Sequence, residues 1–438
     1  MQRFAAAVRA ADPVRRVGKV VRLSGLLVES IGPDCAVGDV CELFSQRSGV
    51  RLKAEVVALQ NGRLMLMPYG ELTGIGLDCD VVAAGSASTV PVGHALLGRV
   101  IDAFGEPFDG GPAPVLTERR PLRATPLNPL MRPPIREVLE TGVRCIDSLL
   151  TIGRGQRVGI FAGSGVGKST LLGMIARNMR ADVNVIALIG ERGREVREFI
   201  DKCLGPAGLA RSVVVVATSD QPAAVRIRAA AAATAIAEHF RDGGLDVLLT
   251  MDSVTRFAMA RREIGLSAGE PPTARGYTPS VFAELPRLLE RCGTAASGGS
   301  ITALYTVLVE GDDLNDPIAD ALRSILDGHI ALSRQLANQG HYPAIDLLHS
   351  ISRLLPDLAT PSEYKLARAA VALLGTYEKN HQMVEIGAYR AGTNPPLDRA
   401  MRLAPELNRL LQQEVDRPMT RADALHGLAA LLGTEGTR

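Results

Sequence analysis

One short segment constrains the fold more than any other part of the chain: Ala162-Gly163-Ser164-Gly165-Val166-Gly167-Lys168-Ser169-Thr170. It follows an apolar run at 158–161 and leads into a good helix-forming run at 171–177. Strand, glycine-rich turn and helix are the frame of a phosphate-binding loop. The glycines let successive backbone N–H groups wrap phosphate oxygens, and the helix N-terminus adds its dipole. Lys168 then reaches the β- and γ-phosphates, and the Ser169 hydroxyl offers an oxygen to Mg2+. Residues Gly163, Ser164, Gly165, Val166, Gly167, Lys168, Ser169 and Thr170 are the expected nucleotide contacts. The strict pattern wants glycine at 162, where this chain has alanine; the GxGKS core survives. The bland alternative is a glycine turn with a coincidental lysine.

A phosphate loop of this kind sits in a parallel α/β sheet, and the flanking sequence agrees. Apolar runs at 158–161, 185–189, 213–217, 247–251 and 301–308 alternate with helical stretches. These include an Ala-rich helix after Pro222 and one around 282–291. The run at 247–251 ends in Asp252. An apolar strand ending in Asp, downstream of a phosphate loop, is the arrangement that supports Mg2+ through its water shell. The run at 185–189 ends in Gly190-Glu191-Arg192. A Glu at the carboxyl edge of a parallel sheet lies beside the nucleotide crevice. Glu191 is the candidate to orient or deprotonate the attacking water; taken alone it also reads as a surface salt-bridge residue.

The chain before this core has a different rhythm. Short Val/Leu runs at 20–27, 40–44, 52–59, 64–67 and 81–83 are separated by turn signals, among them Gly32-Pro33, Ser48-Gly49 and Asn61-Gly62. That pattern predicts a small closed β-barrel. Its aromatics are Phe44 and Tyr69, too few for a nucleic-acid sheet. A Pro- and Gly-rich connector spans 105–134. Residues 1–16 read as a short amphipathic helix with Phe4, Val8 and Ala11 on one side. They are either a docking arm for a partner protein or acidic lipid, or a solvated terminus. After the core, Thr360-Pro361-Ser362-Glu363 is a capping box with Pro at the first helical position. A helix to about 377 is predicted from it, then helices around 397–401, 407–415 and 421–432.

Composition closes off other classes. Lys+Arg 49 against Asp+Glu 47 gives +2, neither a polybasic coat nor an acidic disordered chain. Aromatics are 4% and Trp is absent, so stacking platforms for single-stranded nucleic acid are scarce. No apolar run approaches the ~20 residues of a membrane helix, and the first residues lack a secretory signal's apolar core. The cysteines at 35, 41, 79, 145, 203 and 292 form no CxxC and have no His at ligand spacing. They read as reduced thiols of a cytosolic protein.

Together these segments resemble the catalytic-subunit family of rotary ATP synthases, and more closely its protein-export branch. The resemblance covers nearly the whole chain. It is carried by LETGVRCIDSLLTIGRGQRVGIFAGSGVGKSTLLGMIAR, by GYTPSVFAELPRLLERCG, and by GSITALYTVLVEGDDLNDPIADALRSILDGHIALSRQLANQGHYPAID. It implies a multidomain architecture: arm 1–18, small β-barrel 19–91, RecA-like P-loop α/β domain with a mostly parallel sheet 92–360, and α-helical C-terminal domain 361–438. It also implies roles. Glu191, in GER, matches the catalytic carboxylate, Arg192 the arginine beside it, and Asp252 the Mg2+-supporting acid. Arg256 fills the basic position that follows. Arg353, in HSISR, matches the arginine supplied to a neighbouring subunit's γ-phosphate. Tyr342, in HYPAID, matches the adenine-stacking tyrosine, and Tyr389, in GAYRAG, is placed over the other face. Without the family, Tyr342 reads equally as a core aromatic and Arg353 as a surface salt bridge.

The function implied is Mg-dependent ATP hydrolysis, energising or priming protein export from a homohexameric ring with sites at subunit interfaces. Implied partners are a homodimeric regulator for the N-terminal arm, a central coiled-coil stalk protein, a membrane export gate, and export substrates with their chaperones. The loop at 310–313 would face that stalk, or be a plain acidic solvated loop. The implied location is cytoplasmic, peripheral at the inner membrane through partners. AGSGVGKST and IGAYRAGTNPPLDRAM lean to the flagellar version over the injectisome version. A non-catalytic ring subunit is the alternative of another class, and Glu191 argues against it. A synthase catalytic subunit is disfavoured because 390–438 holds no acidic run. A nucleic-acid translocase is disfavoured by charge and aromatic scarcity.

Overall fold

The computed structural model of the chain describes residues 17–84, 88–309, 313 and 316–433. The predicted arm at 1–16, and 310–312 of the acidic loop, lie outside the described residues. Six antiparallel strands close the N-terminal barrel: β1 (Val17–Ser24), β2 (Leu27–Ile31), β3 (Val40–Phe44), β4 (Arg51–Gln60), β5 (Arg63–Pro68) and β6 (Asp80–Ala83). Their order around the barrel is β1-β2-β5-β4-β3-β6. Val20, Val28, Leu43, Val56, Leu66 and Val81 fill its interior. The run at 20–27, expected as one strand, is a hairpin, because Gly25 takes φ 59° and reverses the chain between β1 and β2. Asn61-Gly62 makes the predicted β4–β5 turn, both residues at positive φ (50° and 73°).

The connector carries β7 (Thr89–Val92), β8 (Arg99–Ile101) and β9 (Glu118–Pro121); β7 and β9 pair with each other. β8 joins the central sheet, which continues with β10 (Arg157–Ala162), β11 (Val183–Ile189), β12 (Ser212–Ala217) and β13 (Asp246–Asp252). It is completed by β14 (Gly293–Thr294), β15 (Ser300–Leu308), β16 (Gly328–Leu332) and β17 (Ile345–Ser352). The order is β17-β16-β10-β15-β13-β11-β12-β8, parallel from β16 to β8, with antiparallel β17 at one edge and β14 on β15. β11 and β12 are buried at every residue, as a sheet covered on both faces requires. The Ala-rich helix Ala223–Asp242 lies on this sheet with a run of fully buried alanines (Ala229, Ala230, Ala232, Ala233), whose small side chains allow close approach. From it, buried Arg228 reaches the barrel side. It donates to the carbonyls of Ala103 (3.2 Å) and Thr89 (2.9 Å) and lies over the rings of Phe104 (4.6 Å) and Tyr69 (5.7 Å).

Three helices form the C-terminal part. Thr360 and Glu363 make the predicted capping box, and the helix runs Pro361–Glu385, longer than expected. The two helices expected at 397–401 and 407–415 are one, Pro395–Leu411, with Pro405 inside it. Leu397, Ala400, Leu403, Ala404, Leu407 and Leu411 form one continuous buried face, and its packing outweighs the hydrogen bond lost at the proline. The last helix is Arg421–Gly433.

Candidate active site

The carboxyl ends of β10, β11, β13 and β15 surround a cavity of about 1000 Å³. The phosphate loop forms its floor: Gly165 and Gly167 take φ 77° and 90°, which side chains resist, and Val166 is buried beneath. Lys168 opens the helix Lys168–Asn178, so its side chain rises from the loop into the cavity. There it meets two carboxylates. Nζ donates to Asp252 Oδ1 and lies 3.5 Å from Glu191 Oε1. The register explains the meeting: β11 and β13 are hydrogen-bonded neighbours, and Glu191 and Asp252 stand at their ends. Thr306 Oγ1, from the neighbouring β15, donates to Asp252 Oδ1 at 2.7 Å and fixes the carboxylate's orientation.

One buried cation against two carboxylates leaves an excess of negative charge. Burial pushes the Glu191 carboxyl up to about 7; Lys168 opposes this, while Asp252 and Glu195 add to it. Lys168 is itself buried, which disfavours its charge, but Asp252 and Glu191 outweigh that and hold it above its ordinary value. Glu195 is lowered, chiefly by its hydrogen bond with Glu191. Glu191 is therefore poised near neutrality, where a proton acceptor works best.

The positioning of these groups is backbone work. Glu191 O accepts from Ser219 N (3.0 Å). Gly190 at φ 70° is packed by the Arg256 stem, and a Cβ there would come within 2.8 Å of it. Ser253 caps the helix Val254–Ser267 through Arg256 N at 3.3 Å. Arg256 lines the cavity, and its Nε is buried with no hydrogen-bond partner among the described residues. A buried donor of this kind beside a phosphate loop fits an anion.

The other sequence candidates fall around this centre. Gly163, Ser164, Ser169, Thr170 and Arg192 line the cavity; Arg192 is exposed, 3.7 Å from Glu195. Tyr342 lies against the phosphate loop, its ring carbons 3.5 Å from where a Cβ on Gly167 would stand. Tyr389 is elsewhere: from the turn before the helix Pro395–Leu411, its hydroxyl donates to Asp398 Oδ1 (2.9 Å) in the first turn of that helix. Arg353 follows β17 and is exposed. It donates to Arg323 O (2.9 Å) and does not line its own chain's cavity. Thr306, Glu195, Arg262, Arg275 and Arg334 were not singled out from sequence. Glu195 had a signal, one helical turn beyond Glu191. Thr306 had only a hydroxyl in the middle of an apolar strand. Asp313, of the predicted stalk-facing loop, pairs with Arg275 at 2.7 Å, and Arg275 also pairs with Asp316 at 2.7 Å.

For Mg2+ the residues fit. Asp252 and the exposed Ser169 hydroxyl are hard oxygen donors, and Mg2+ takes few protein oxygens while keeping water and phosphate ligands. Among the described residues no cluster of three or more His, Cys, Asp or Glu could hold a metal by itself. No helix among them is long and apolar enough to cross a membrane.

Known proteins share this sequence and fold. Residues 142–352 match the ATP synthase alpha/beta family, nucleotide-binding domain, and residues 359–430 match the T3SS EscN ATPase C-terminal domain. The chain is 55% identical to the flagellum-specific ATP synthase of Bacillus subtilis (strain 168) over 97% of both chains. It is 52% identical to the type 3 secretion system ATPase of Xanthomonas euvesicatoria, over 92% of this chain and 91% of that one. Among solved structures, the assembled ATPase EscN of the enteropathogenic E. coli type III secretion system superposes with a TM-score of 0.90. It is 44% identical, and the match covers 95% of this chain and all of that one. EscN in complex with its central stalk EscO gives a TM-score of 0.86. Fold and site thus define a P-loop ATPase of the ATP synthase alpha/beta kind. Within that class the chain belongs to the export ATPases, the family of flagellum-specific and type III secretion enzymes.

Proposed function

We propose that the chain is a homohexameric, Mg2+-dependent ATPase that energises or primes export of unfolded flagellar proteins through a type III apparatus. The observation that carries this reading is Lys168 held between Asp252 and Glu191 beside the unpartnered Arg256 Nε. The loop amides from Gly163 to Thr170 bind the phosphates, and Lys168 turns from its carboxylates to meet the β/γ charge. Glu191 orients the attacking water and accepts its proton on a carboxylate oxygen. Arg192 adds positive charge at the rim. Tyr342 stacks on the adenine, with Tyr389 brought to its other face. Mg2+, held by Ser169 and Asp252, would neutralise charge on the phosphate oxygens.

Arg353 acts on a neighbour's γ-phosphate. Its place outside its own chain's cavity supports this role. Such an arginine contributes roughly 10³–10⁵ in rate. A head-to-tail contact that closes makes the ring.

The working units are an arm at 1–18, a barrel at 19–91, a nucleotide-binding domain at 92–360 and a helical domain at 361–438. The arm docks a homodimeric regulator. A coiled-coil stalk enters the ring past the 310–313 loop, and the export gate, substrates and chaperones complete the partners. The protein works in the cytoplasm, peripheral to the inner membrane through these partners. An injectisome role is the second reading, favoured by the Xanthomonas relative.

The test is subunit mixing with phosphate release as the readout. Lys168→Ala and Arg353→Ala rings are each expected to be inactive, and mixed rings to regain turnover. Mixed rings that assemble and stay inactive would remove the interface site.

A further inference from the structure

The tyrosine beside the phosphate loop is held from behind by the far end of the chain. Tyr342 is exposed, and its carbonyl accepts a hydrogen bond from Gln413 N at 2.9 Å. Among the described residues, this is the hydrogen bond that fixes Tyr342. Gln413 lies in the extended stretch after the helix Pro395–Leu411 and is only 9% exposed.

Its side-chain amide makes three hydrogen bonds. Oε1 accepts from Arg144 N (2.7 Å), and Nε2 donates to Gly142 O (2.7 Å) and Arg417 O (2.9 Å). Both ends of this clamp are anchored further. Gly142 N donates to Asp147 Oδ2 (2.9 Å), and Gly142 O also accepts from Met419 N (3.3 Å). The Arg144 guanidinium bonds Leu410 O and reaches Met419 Sδ (3.0 Å). The Gln413 side chain therefore joins the segment preceding β10 to the helical tail, and its backbone N–H joins both to the turn preceding β17.

We propose that Gln413 is a positioning residue for the nucleotide base: its side-chain amide pins the Gln413 backbone to the 142–144 segment and to Arg417 O, and the backbone N–H so held fixes the Tyr342 carbonyl and sets the ring against the phosphate loop. The inference rests on the reading of Tyr342 as the base-stacking residue. Its signature follows from what Gln413 does not touch. The loop amides and Lys168 make no bond to it, so affinity for the triphosphate moiety is independent of it. Only the contribution of the base depends on it.

The experiment compares ATP hydrolysis with inhibition by inorganic triphosphate in the assembled, full-length protein. Gln413→Met keeps the volume and removes the amide. Losing hydrogen bonds of ordinary strength should raise KM for ATP about five- to tenfold. The expected kcat stays close to wild type, and Ki for inorganic triphosphate is unchanged. Tyr342→Ala should raise KM similarly, and the double variant should be no worse than Tyr342→Ala alone. Gln413→Glu, which keeps the acceptor for Arg144 N and loses both donors, is the second variant and should behave alike. If Tyr342→Ala raises KM while both Gln413 variants leave it normal, the positioning role falls and the base reading stands. A KM and a Ki that rise together would mean general distortion and overturn it too. A Tyr342→Ala enzyme with normal KM removes the base reading itself, and the inference with it.

Discussion

Two buried charge clusters sit towards opposite ends of the same sheet, and they are built on opposite principles. At the carboxyl ends, Lys168 lies against two carboxylates beside the cavity, and one of them is pushed up to about 7. Towards the amino ends, Arg291 meets Glu238 in a bidentate pair of 2.9 and 2.7 Å, both side chains almost wholly buried, and Arg291 also donates to Leu122 O at 2.7 Å. Arg120 Nε also lies 3.7 Å from Glu238 Oε2, so the carboxylate there is fully matched. Burial is common to both clusters. What separates them is surplus: unmatched negative charge, an unpartnered Arg256 Nε and a cavity on one side, complete pairing on the other. The balanced pair holds a helix and a connector together. The unbalanced trio leaves carboxylate charge free to meet a further cation.

The sharpest way to break the comparison is to substitute one member of each cluster. Glu191→Gln should lower kcat by roughly 10²–10⁴ while leaving nucleotide binding close to normal, as loss of a proton acceptor does. Single-turnover phosphate release beside nucleotide titration measures both. Near-normal turnover would move the base elsewhere. Arg291→Ala should do the reverse in kind, costing about 3 kcal/mol of stability by leaving the buried Glu238 with only Arg120, 3.7 Å away. Denaturant midpoints check it; a midpoint close to wild type would mean that the pair relaxes into water.

The smallest effect is in pH. In the free enzyme kcat/KM should rise about tenfold per pH unit and level off above the Glu191 value near 7. For stability the sign is opposite. The folded value lies above the ordinary 4.5, so the native state holds an extra proton between 4.5 and about 7. That contribution is complete below 4.5 and lost as pH rises through 7. Glu191→Gln should flatten this difference in melting temperature; an unchanged profile would assign the slope to other groups.

What sequence made legible was local. The phosphate loop, the strand ends carrying Glu191 and Asp252, the Asn61-Gly62 hairpin and the Thr360–Glu363 box each declare themselves within a few residues. Physical reasons for them lie in backbone conformation and periodicity, which short windows contain. The hairpin inside 20–27 was missed because a single Gly25 interrupts an otherwise strand-like run. One helix runs through Pro405, where two were expected, because burial of a long apolar face overrides a local preference. Thr306 and Gln413 had no local signal: each acts through bonds to residues far away in sequence, Asp252 and the 142–144 segment. Arg353 and Tyr389 needed the family resemblance, since neither lines the cavity of its own chain.

The Arg228 contact has a consequence for the order in which this molecule is made. Every strand of the barrel lies within residues 17–83, so it can close soon after it leaves the ribosome. The guanidinium that covers Tyr69 and Phe104 belongs to residue 228. At roughly 5–20 residues per second it arrives on the order of ten seconds later. For that interval the nascent chain carries a finished barrel whose Tyr69 still lacks the guanidinium that a later helix lays over its ring.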